Sequence, residues 1–294
     1  MDCVTVILNP SSGLAYRRPD PARVGQIFRE RGLSVRVLSL DRLDAIASAA
    51  RQAAANRERV VIAAGGDGTV SAVASTLVKT NTALGVLPVG TFNHFARDMQ
   101  IPLDLAGAAE VIARGKVDWV DVGSVNGRIF VNNSSIGIYP NIVLLREFGR
   151  RRGRSKWTAF ARATFAMLRR FPFLAVRVEA GGEAVVAQTP FVFVGNNEYE
   201  IRGLEIGRRS SLAEGRLFLY VPAPISRLGL IWMALNAVFG RLDPGRTLAM
   251  REIEEAWITT RKKRLRVSTD GEIAVLRSPL HYRSLPRALK VFVP

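Results

Sequence analysis

A run of β-branched and small apolar residues, Arg59 to Ala64, gives way to glycine at positions 65, 66 and 68, and a helix-forming stretch follows at once: VVIAAGGDGTVSAVAS, Val60 to Ser75. The short apolar run bounded by glycine reads as a buried strand and Thr69 to Lys79 as a helix, so GGDGT is a strand-to-helix turn. Gly65, Gly66 and Gly68 allow the backbone a positive φ or a close approach to a ligand. The helix N-terminus behind them offers unpaired N–H groups to an anion. A glycine-rich turn of this kind can also serve packing alone. Asp67 separates the two cases: it would repel a phosphate unless a divalent cation lay between them, so the loop predicts phosphate together with Mg²⁺. No G-x-x-x-x-G-K-[ST] occurs in the chain, and the third glycine of G-x-G-x-x-G is missing from the turn.

The turn sits in a longer alternation. Strand patterns at Val4–Leu8, Ser34–Leu38, Val60–Ala64 and Ala83–Pro88 are separated by helical patterns at Pro21–Arg31, Leu43–Ala55 and from Thr69. Such alternation argues for βαβ units on a parallel sheet. After Val122 the period changes. Short strand-like runs follow at Arg128–Val131, Leu174–Val178, Pro190–Val194, Arg216–Val221, Ala256–Thr260 and Leu265–Ser268, with turns such as EAGGE and STDGE between them. The expected fold is therefore an N-terminal α/β part on a parallel sheet that changes near residue 122 to a mostly β part.

With 294 residues the chain is long enough for two cores. One cysteine, Cys3, excludes an internal disulfide and fits a reducing compartment. Two histidines and one cysteine cannot make a zinc site. The first residues run straight into a strand with no basic leader, and the longest apolar segment, Leu228 to Gly240, has 13 residues where a bilayer needs about 20. The expectation is a cytoplasmic protein, peripherally associated with membrane.

The net charge of +17 implies attraction to a polyanion: nucleic acid, an anionic membrane surface or a phosphorylated substrate. Between Arg146 and Arg177 there are ten basic residues against one acidic, densest in RRRGRSK, and a second cluster is RKKRLR, Arg261 to Arg266. Trp157, Phe160, Phe165 and Leu168 fall at helical spacing within Lys156–Arg170, beside Arg162, Arg169 and Arg170. That helix packs on the β domain or rests a basic amphipathic face on lipid headgroups.

One βα unit beyond GGDGT stands LPVGTFNHFARDMQIP, Leu87 to Pro102. Here Thr91 and Asn93 open a helix, where hydroxyl and amide groups cap N–H donors or contact phosphate. With LNPSSG, Leu8 to Gly13, three polar loops end neighbouring strands and converge on one crevice. NPxSG, GGDGT and P-x-G-T-x-N-x-F-A-R, followed by DVGSVNGRIFVNNSSIGIYP, VFVGNN and a late DGE, together resemble the diacylglycerol kinase catalytic-domain family, which includes bacterial lipid kinases and sphingosine kinases. The resemblance runs from Asn9 to about Glu272.

That resemblance implies an NAD kinase-like α/β nucleotide-binding domain over residues 1–122, completed by the last strand, residues 282–294, a β-sandwich over residues 123–281 that receives a lipid, and ATP between them. Asn9, Gly65, Gly66, Asp67, Gly68, Thr69, Thr91 and Asn93 would then surround the nucleotide. Read by itself, DGE is a hairpin turn. The resemblance makes Glu272 the general base, with Asp270 supporting it and Asp67 in the Mg²⁺ or phosphate shell. It also implies a structural Mg²⁺ at SSLAEGRL, held by Glu214 and the backbone oxygens of Ser211 and Arg216. The chain departs from the family pattern at Ser71 and Ala72, where Asn and Glu are usual, and at His94, where an acid is usual.

The expected activity is an ATP- and Mg²⁺-dependent lipid kinase acting on a hydroxyl of diacylglycerol or a related lipid at an anionic membrane surface. The alternative is a non-catalytic, nucleotide-responsive lipid-binding member of the same family. NAD kinase is supported only by GGDGT and the fold, and is disfavoured by PVGTFNHFAR, Pro88 to Arg97. Nucleic acid is not expected as a partner, since no RRM, KH or zinc-finger pattern appears. The oligomeric state stays open, a homodimer being one option.

Overall fold

The computed structural model describes residues 4–13, 20–137, 173–202, 205–209, 211–222, 229 and 248–294. The basic run Arg150–Lys156, the amphipathic stretch Lys156–Arg170 and most of Leu228–Gly240 lie outside the described residues.

The N-terminal part alternates as its sequence pattern requires: β1 (Val4–Leu8), α1 (Pro21–Arg29), β2 (Val35–Ser39), α2 (Leu43–Ala55), β3 (Val60–Gly65), α3 (Asp67–Leu77), β4 (Ala83–Pro88), α4 (His94–Asp98) and α5 (Leu105–Arg114). Helices α1 and α5 start where a side chain takes up a free amide: Asp20 accepts from Ala22 N at 3.0 Å with Pro21 behind it, and Asp104 accepts from Gly107 N at 2.8 Å. Strands β2, β1, β3 and β4 pair in parallel in that order. Val61, Ile62, Ala63 and Ala64 are all fully buried, so both faces of β3 are covered. Helices α1 and α5 pack together, as do α2 and α3.

Among the described residues, the rest is almost entirely strand. β5 (Val117–Val125), β6 (Arg128–Phe130) and β7 (Asn133–Gly137) are followed by β8 (Leu174–Ala180), β9 (Glu183–Thr189), β10 (Phe191–Asn196), β11 (Tyr199–Arg202) and β12 (Glu205–Arg209). Then come β13 (Leu217–Pro222), β14 (Leu248–Ile253), β15 (Glu255–Thr260), β16 (Arg264–Thr269), β17 (Glu272–Arg277) and β18 (Leu280–Phe292).

Two features go beyond the alternation seen in sequence. The first sheet does not stop at β4. β18 runs beside it in parallel at Val291↔Leu84, pairs antiparallel with β5 and β15, and carries the sheet on through β8 to β9. β5 crosses residue 122 without a break. A six-stranded antiparallel sheet, β14-β13-β10-β7-β16-β17, faces the later strands of the first sheet. The second core lies between them, with Val178, Ile258 and Tyr282 from one side meeting Ile136, Val194 and Val267 from the other. This is the β-sandwich, built on a sheet that the α/β part shares.

The two parts are also tied by a buried ion pair. Arg209 on β12 donates from Nε to Asp98 Oδ2 of α4 at 2.8 Å, with side-chain exposures of 0% and 6%. Its other nitrogens reach Val131 O at 2.6 Å, Asn196 O at 3.2 Å and Asn132 Oδ1 at 3.1 Å, and the guanidinium lies over the Tyr199 ring. Removing one partner strands a charge in the interior. Arg209→Met should therefore lower the urea-denaturation free energy by about 3–5 kcal/mol, and adding Asp98→Leu should restore much of it. A single-variant loss under about 1 kcal/mol would show that the pair does not hold the parts together.

Candidate functional site

Three loops meet at the C-terminal ends of β1, β3 and β4, and glycine permits the contact. A Cβ on Gly13 would lie 2.3 Å from Val89 O, and one on Gly90 would lie 2.3 Å from Gly66 Cα. Hydrogen bonds fix the rest. Asn9 Nδ2 donates to Thr69 Oγ1 at 3.0 Å, Asn9 Oδ1 accepts from Ser11 N at 2.9 Å, and Ser12 Oγ accepts from Gly66 N at 3.2 Å. Ser12 was not singled out from sequence, although it stands inside the LNPSSG motif.

α3 begins two residues earlier than its sequence pattern suggested, taking Asp67 and Gly68 into its first turn, and no side chain caps it. The amides of Asp67, Gly68 and Thr69 therefore have no partner within the helix. Gly65 is held tight against Thr69: a Cβ there would come 2.3 Å from Thr69 Cβ. Thr69 itself is buried, its hydroxyl between Asn9 and Ser12. Asp67 reaches across, its Oδ1 accepting from Phe95 N at 3.2 Å in the first turn of α4.

In the third loop Asn93 adopts φ 53° and closes its own turn. Its Oδ1 accepts from Gly90 N at 2.9 Å, and its Nδ2 donates to Pro88 O and Gly90 O. Asn93 thus shapes the loop from within. Thr91 is exposed at its tip, and His94 is exposed and stacked on Phe92 with ring centroids 5.6 Å apart.

The β16–β17 hairpin closes the site from the sandwich side. Thr269 pairs with Glu272 around Asp270-Gly271, both at positive φ (49° and 86°), which is the two-residue turn that a D-G sequence favours. The hairpin is not a surface ornament. Asp270 Oδ2 accepts from Ser71 Oγ of α3 at 2.6 Å and from Val131 N at 2.8 Å, while Oδ1 accepts from Asn132 N at 2.8 Å and Asn133 N at 3.1 Å. Burial pushes this carboxyl above its ordinary range, against the pull of those four donors. Glu272 Oε1 stands 3.4 Å from where a Cβ on Gly68 would be, over the first turn of α3. The structure thus gathers Asn9, Gly66, Asp67, Gly68, Thr69, Asp270 and Glu272, residues up to 263 apart in sequence, around one helix N-terminus.

Ser211, Glu214 and Arg216 stand elsewhere. Glu214 is exposed on the wall of a cavity of about 390 Å³, lined also by Asp121, Arg216, Glu254, Ser284 and Arg287. Asp121 is committed to Gly215 N at 2.5 Å and Arg287 N at 2.8 Å, Glu254 to Arg216 Nη1 at 2.8 Å, and the Arg216 carbonyl to Asn197 N at 3.0 Å. The donors there are hard oxygens, which suit Mg²⁺ or Ca²⁺ in kind. Among the described residues, no group of three His, Cys, Asp or Glu side chains gathers as a metal cluster.

Residues 3–125 match the diacylglycerol kinase catalytic domain family. The chain is 37% identical over 130 residues to a diacylglycerol kinase of Bacillus subtilis, covering 43% of this chain and 43% of that one. It is 34% identical over 135 residues to a diacylglycerol kinase of Staphylococcus saprophyticus, covering 45% and 44%. The matches thus span under half the length of these curated relatives. Over the whole fold the chain is similar to the crystal structure of a diacylglycerol kinase from Bacillus anthracis, with TM-score 0.71 and 20% identity, covering 100% of this chain and 97% of that one. It is also similar in fold to yeast NADH kinase complexed with NADH, with TM-score 0.58 and 12% identity, covering 99% and 83%. The loops that build the crevice from β1, β3 and β4 all fall within the segment that matches the diacylglycerol kinase catalytic domain family.

Proposed function

We propose that this chain is an ATP- and Mg²⁺-dependent lipid kinase that transfers the γ-phosphate to a hydroxyl of diacylglycerol or a related membrane lipid. The observation that carries this reading is the meeting of a carboxylate and an open helix start: Glu272 over Gly68, at the uncapped N-terminus of α3. Phosphoryl transfer asks mainly for positioning and charge neutralisation. The α3 amides and the Gly65–Gly68 turn offer donors to the phosphates, with Asn9, Thr69, Thr91 and Asn93 shaping or lining the same loops. Asp67 would hold Mg²⁺, whose chemistry there would be to neutralise phosphate charge. Glu272 takes the proton of the acceptor hydroxyl as its oxygen bonds to the γ-phosphorus and the bond to the ADP oxygen breaks. Asp270, saturated by four donors, keeps the hairpin in place.

On this reading residues 1–122 with 282–294 form the nucleotide domain and residues 123–281 the lipid domain. The net charge of +17 draws the protein to an anionic membrane surface on the cytoplasmic side. Glu214 and the backbone oxygens of Ser211 and Arg216 would hold a structural Mg²⁺ on this reading. Ser71 favours the catalytic over the non-catalytic alternative: although it departs from the family pattern, its hydroxyl ties α3 to the turn that carries Glu272.

Labelled Mg·ATP supplied with diacylglycerol in mixed micelles should yield a labelled lipid. Glu272→Gln should lower kcat by roughly 10²–10⁴ with KM for ATP changed only a few-fold. Turnover of Glu272→Gln at the wild-type rate, or no labelled lipid at all, would overturn the proposal. Mg·ATP at 100 times its Kd should also stabilise the protein by about 2.7 kcal/mol. That rise in Tm should vanish in Gly90→Ala, whose new Cβ forces the third loop away from Gly66; a preserved rise would place the nucleotide elsewhere.

A further inference from the structure

The hairpin whose turn leads into Glu272 has a second side, and that side is cationic. Residues directly opposite in antiparallel pairs share a face. In β16 and β17 the pairs Leu265↔Leu276 and Val267↔Ala274 turn inward, where Leu265, Val267 and Leu276 join the core between the sheets. Thr269↔Glu272 belongs to that inner series. The alternate pairs Arg264↔Arg277, Arg266↔Val275 and Ser268↔Ile273 therefore turn away from the core. Arg264, Arg266, Val275 and Arg277 are exposed there, and so are Arg261, Lys262 and Lys263 in the connection that leads from β15 into β16.

Little offsets this charge. From Ala256 to Pro294 the acidic residues are Asp270 and Glu272 alone. Asp270 is taken up by its four donors, and Glu272 stands over Gly68. β7 and β10, the strands next to β16 in the sheet, carry no charged residue. Charged side chains commonly guard an edge strand such as β17 against pairing. Val275 does not fit that purpose, since it is 62% exposed and opposite Arg266. An aliphatic side chain set among cations suits a surface that is both anionic and apolar just beneath its charge. A single-stranded nucleic acid would call for aromatic side chains on which bases stack, and none of the outward residues of this hairpin is aromatic.

We propose that the outer side of the β16–β17 hairpin docks on an anionic lipid bilayer, its cations against the headgroups and Val275 entering the layer between them. The way the sheet ends agrees. β7 stops at Gly137, β13 stops at Pro222 and β14 starts at Leu248, all at the end of the sheet where Arg264 and Arg277 stand. The stretches that follow Gly137 and Pro222 lie almost wholly outside the described residues, and their sequences hold RRRGRSK and LGLIWMALNAVFG. Basic and apolar sequence therefore leaves the sheet at the same end. As a route to a membrane-borne acceptor, the docking side rests on the lipid-kinase reading above.

The test is cosedimentation, without ATP, with vesicles of phosphatidylcholine and phosphatidylglycerol. Wild type should bind these and not vesicles of phosphatidylcholine alone. Lys262→Glu/Lys263→Glu/Arg264→Glu/Arg277→Glu should bind at least about a hundredfold more weakly, because each cation near such a surface contributes separately. Arg23→Glu/Arg29→Glu/Arg51→Glu/Arg57→Glu makes the same change in net charge at exposed positions of the α/β part, and should bind within a few-fold of wild type. Equal loss in both variants, or full binding by the hairpin variant, overturns the docking side, as does wild type that prefers RNA to the vesicles at the same salt. Turnover separates the two proposals. Dioctanoylglycerol in neutral detergent micelles should be phosphorylated by the hairpin variant at the wild-type rate, while diacylglycerol in anionic vesicles should be turned over far more slowly. Hairpin-dependent vesicle binding with no phosphate transfer to any lipid would sink the kinase reading and leave the docking side standing.

Discussion

The arrangement of the cleft depends on the carboxylate of Asp270. Taken out of water, it would be expensive to keep in place. It is kept because Ser71 Oγ and the amides of Val131, Asn132 and Asn133 all point at it, two donors to each oxygen. Those donors come from both parts of the chain: Ser71 from α3, and the three amides from the link between β6 and β7 and the first residue of β7. The tight turn at Asp270-Gly271 then leaves one orientation for the next acid, so Glu272 arrives over Gly68. Binding at Asp270 is what converts a common hairpin into a positioning device.

The same segment is gripped from the other side. Val131 O accepts from Arg209 and from Asn196 Nδ2, while Val131 N serves Asp270. Arg209 pairs with Asp98 at the end of α4, whose first turn gives Phe95 N to Asp67. The contacts therefore close a circuit: α3 to α4 through Asp67, α4 to β12 through Asp98, β12 to Val131 through Arg209, and back to α3 through Asp270 and Ser71. Groups coupled in this way reinforce one another, and a change at any member is felt beyond its own pair. The two acidic residues that flank the N-terminus of α3, Asp67 and Glu272, belong to opposite arms of that circuit.

Much of this was legible in the chain. The parallel strands announced themselves because β3 is apolar along its whole length, and GGDGT marked the crevice because glycine is the residue that lets Gly66 and Gly90 touch. The D-G turn was correctly readable as a hairpin. What the hairpin packs against was not, since Ser71 and Asp270 are 199 residues apart and neither has a local pattern that names the other. Arg209 and Asp98 are separated by 111 residues and look like ordinary charges in sequence. The resemblance implied that the last strand returns to the α/β part, but its continuation through β15, β8 and β9 was hidden for a related reason. β18 is long and carries Pro286 and a register shift between Leu285 and Leu289, so it lacks the clean alternation from which strands are read.

The three departures from the family pattern fall in different physical roles. Ser71 is a member of the hydrogen-bond circuit. Ala72 is half-buried against the first core and takes part in packing. His94 is exposed and stacked on Phe92, at the start of α4. Ala72 and His94 stand where the family usually has acids, so they remove negative charge near the crevice without touching the α3 amides. Asp67 and Glu272 then face the positive end of α3, which favours both carboxylates where they are. On the kinase reading proposed above, a phosphate at those amides would meet the same two carboxylates, and a divalent cation would reconcile the three charges.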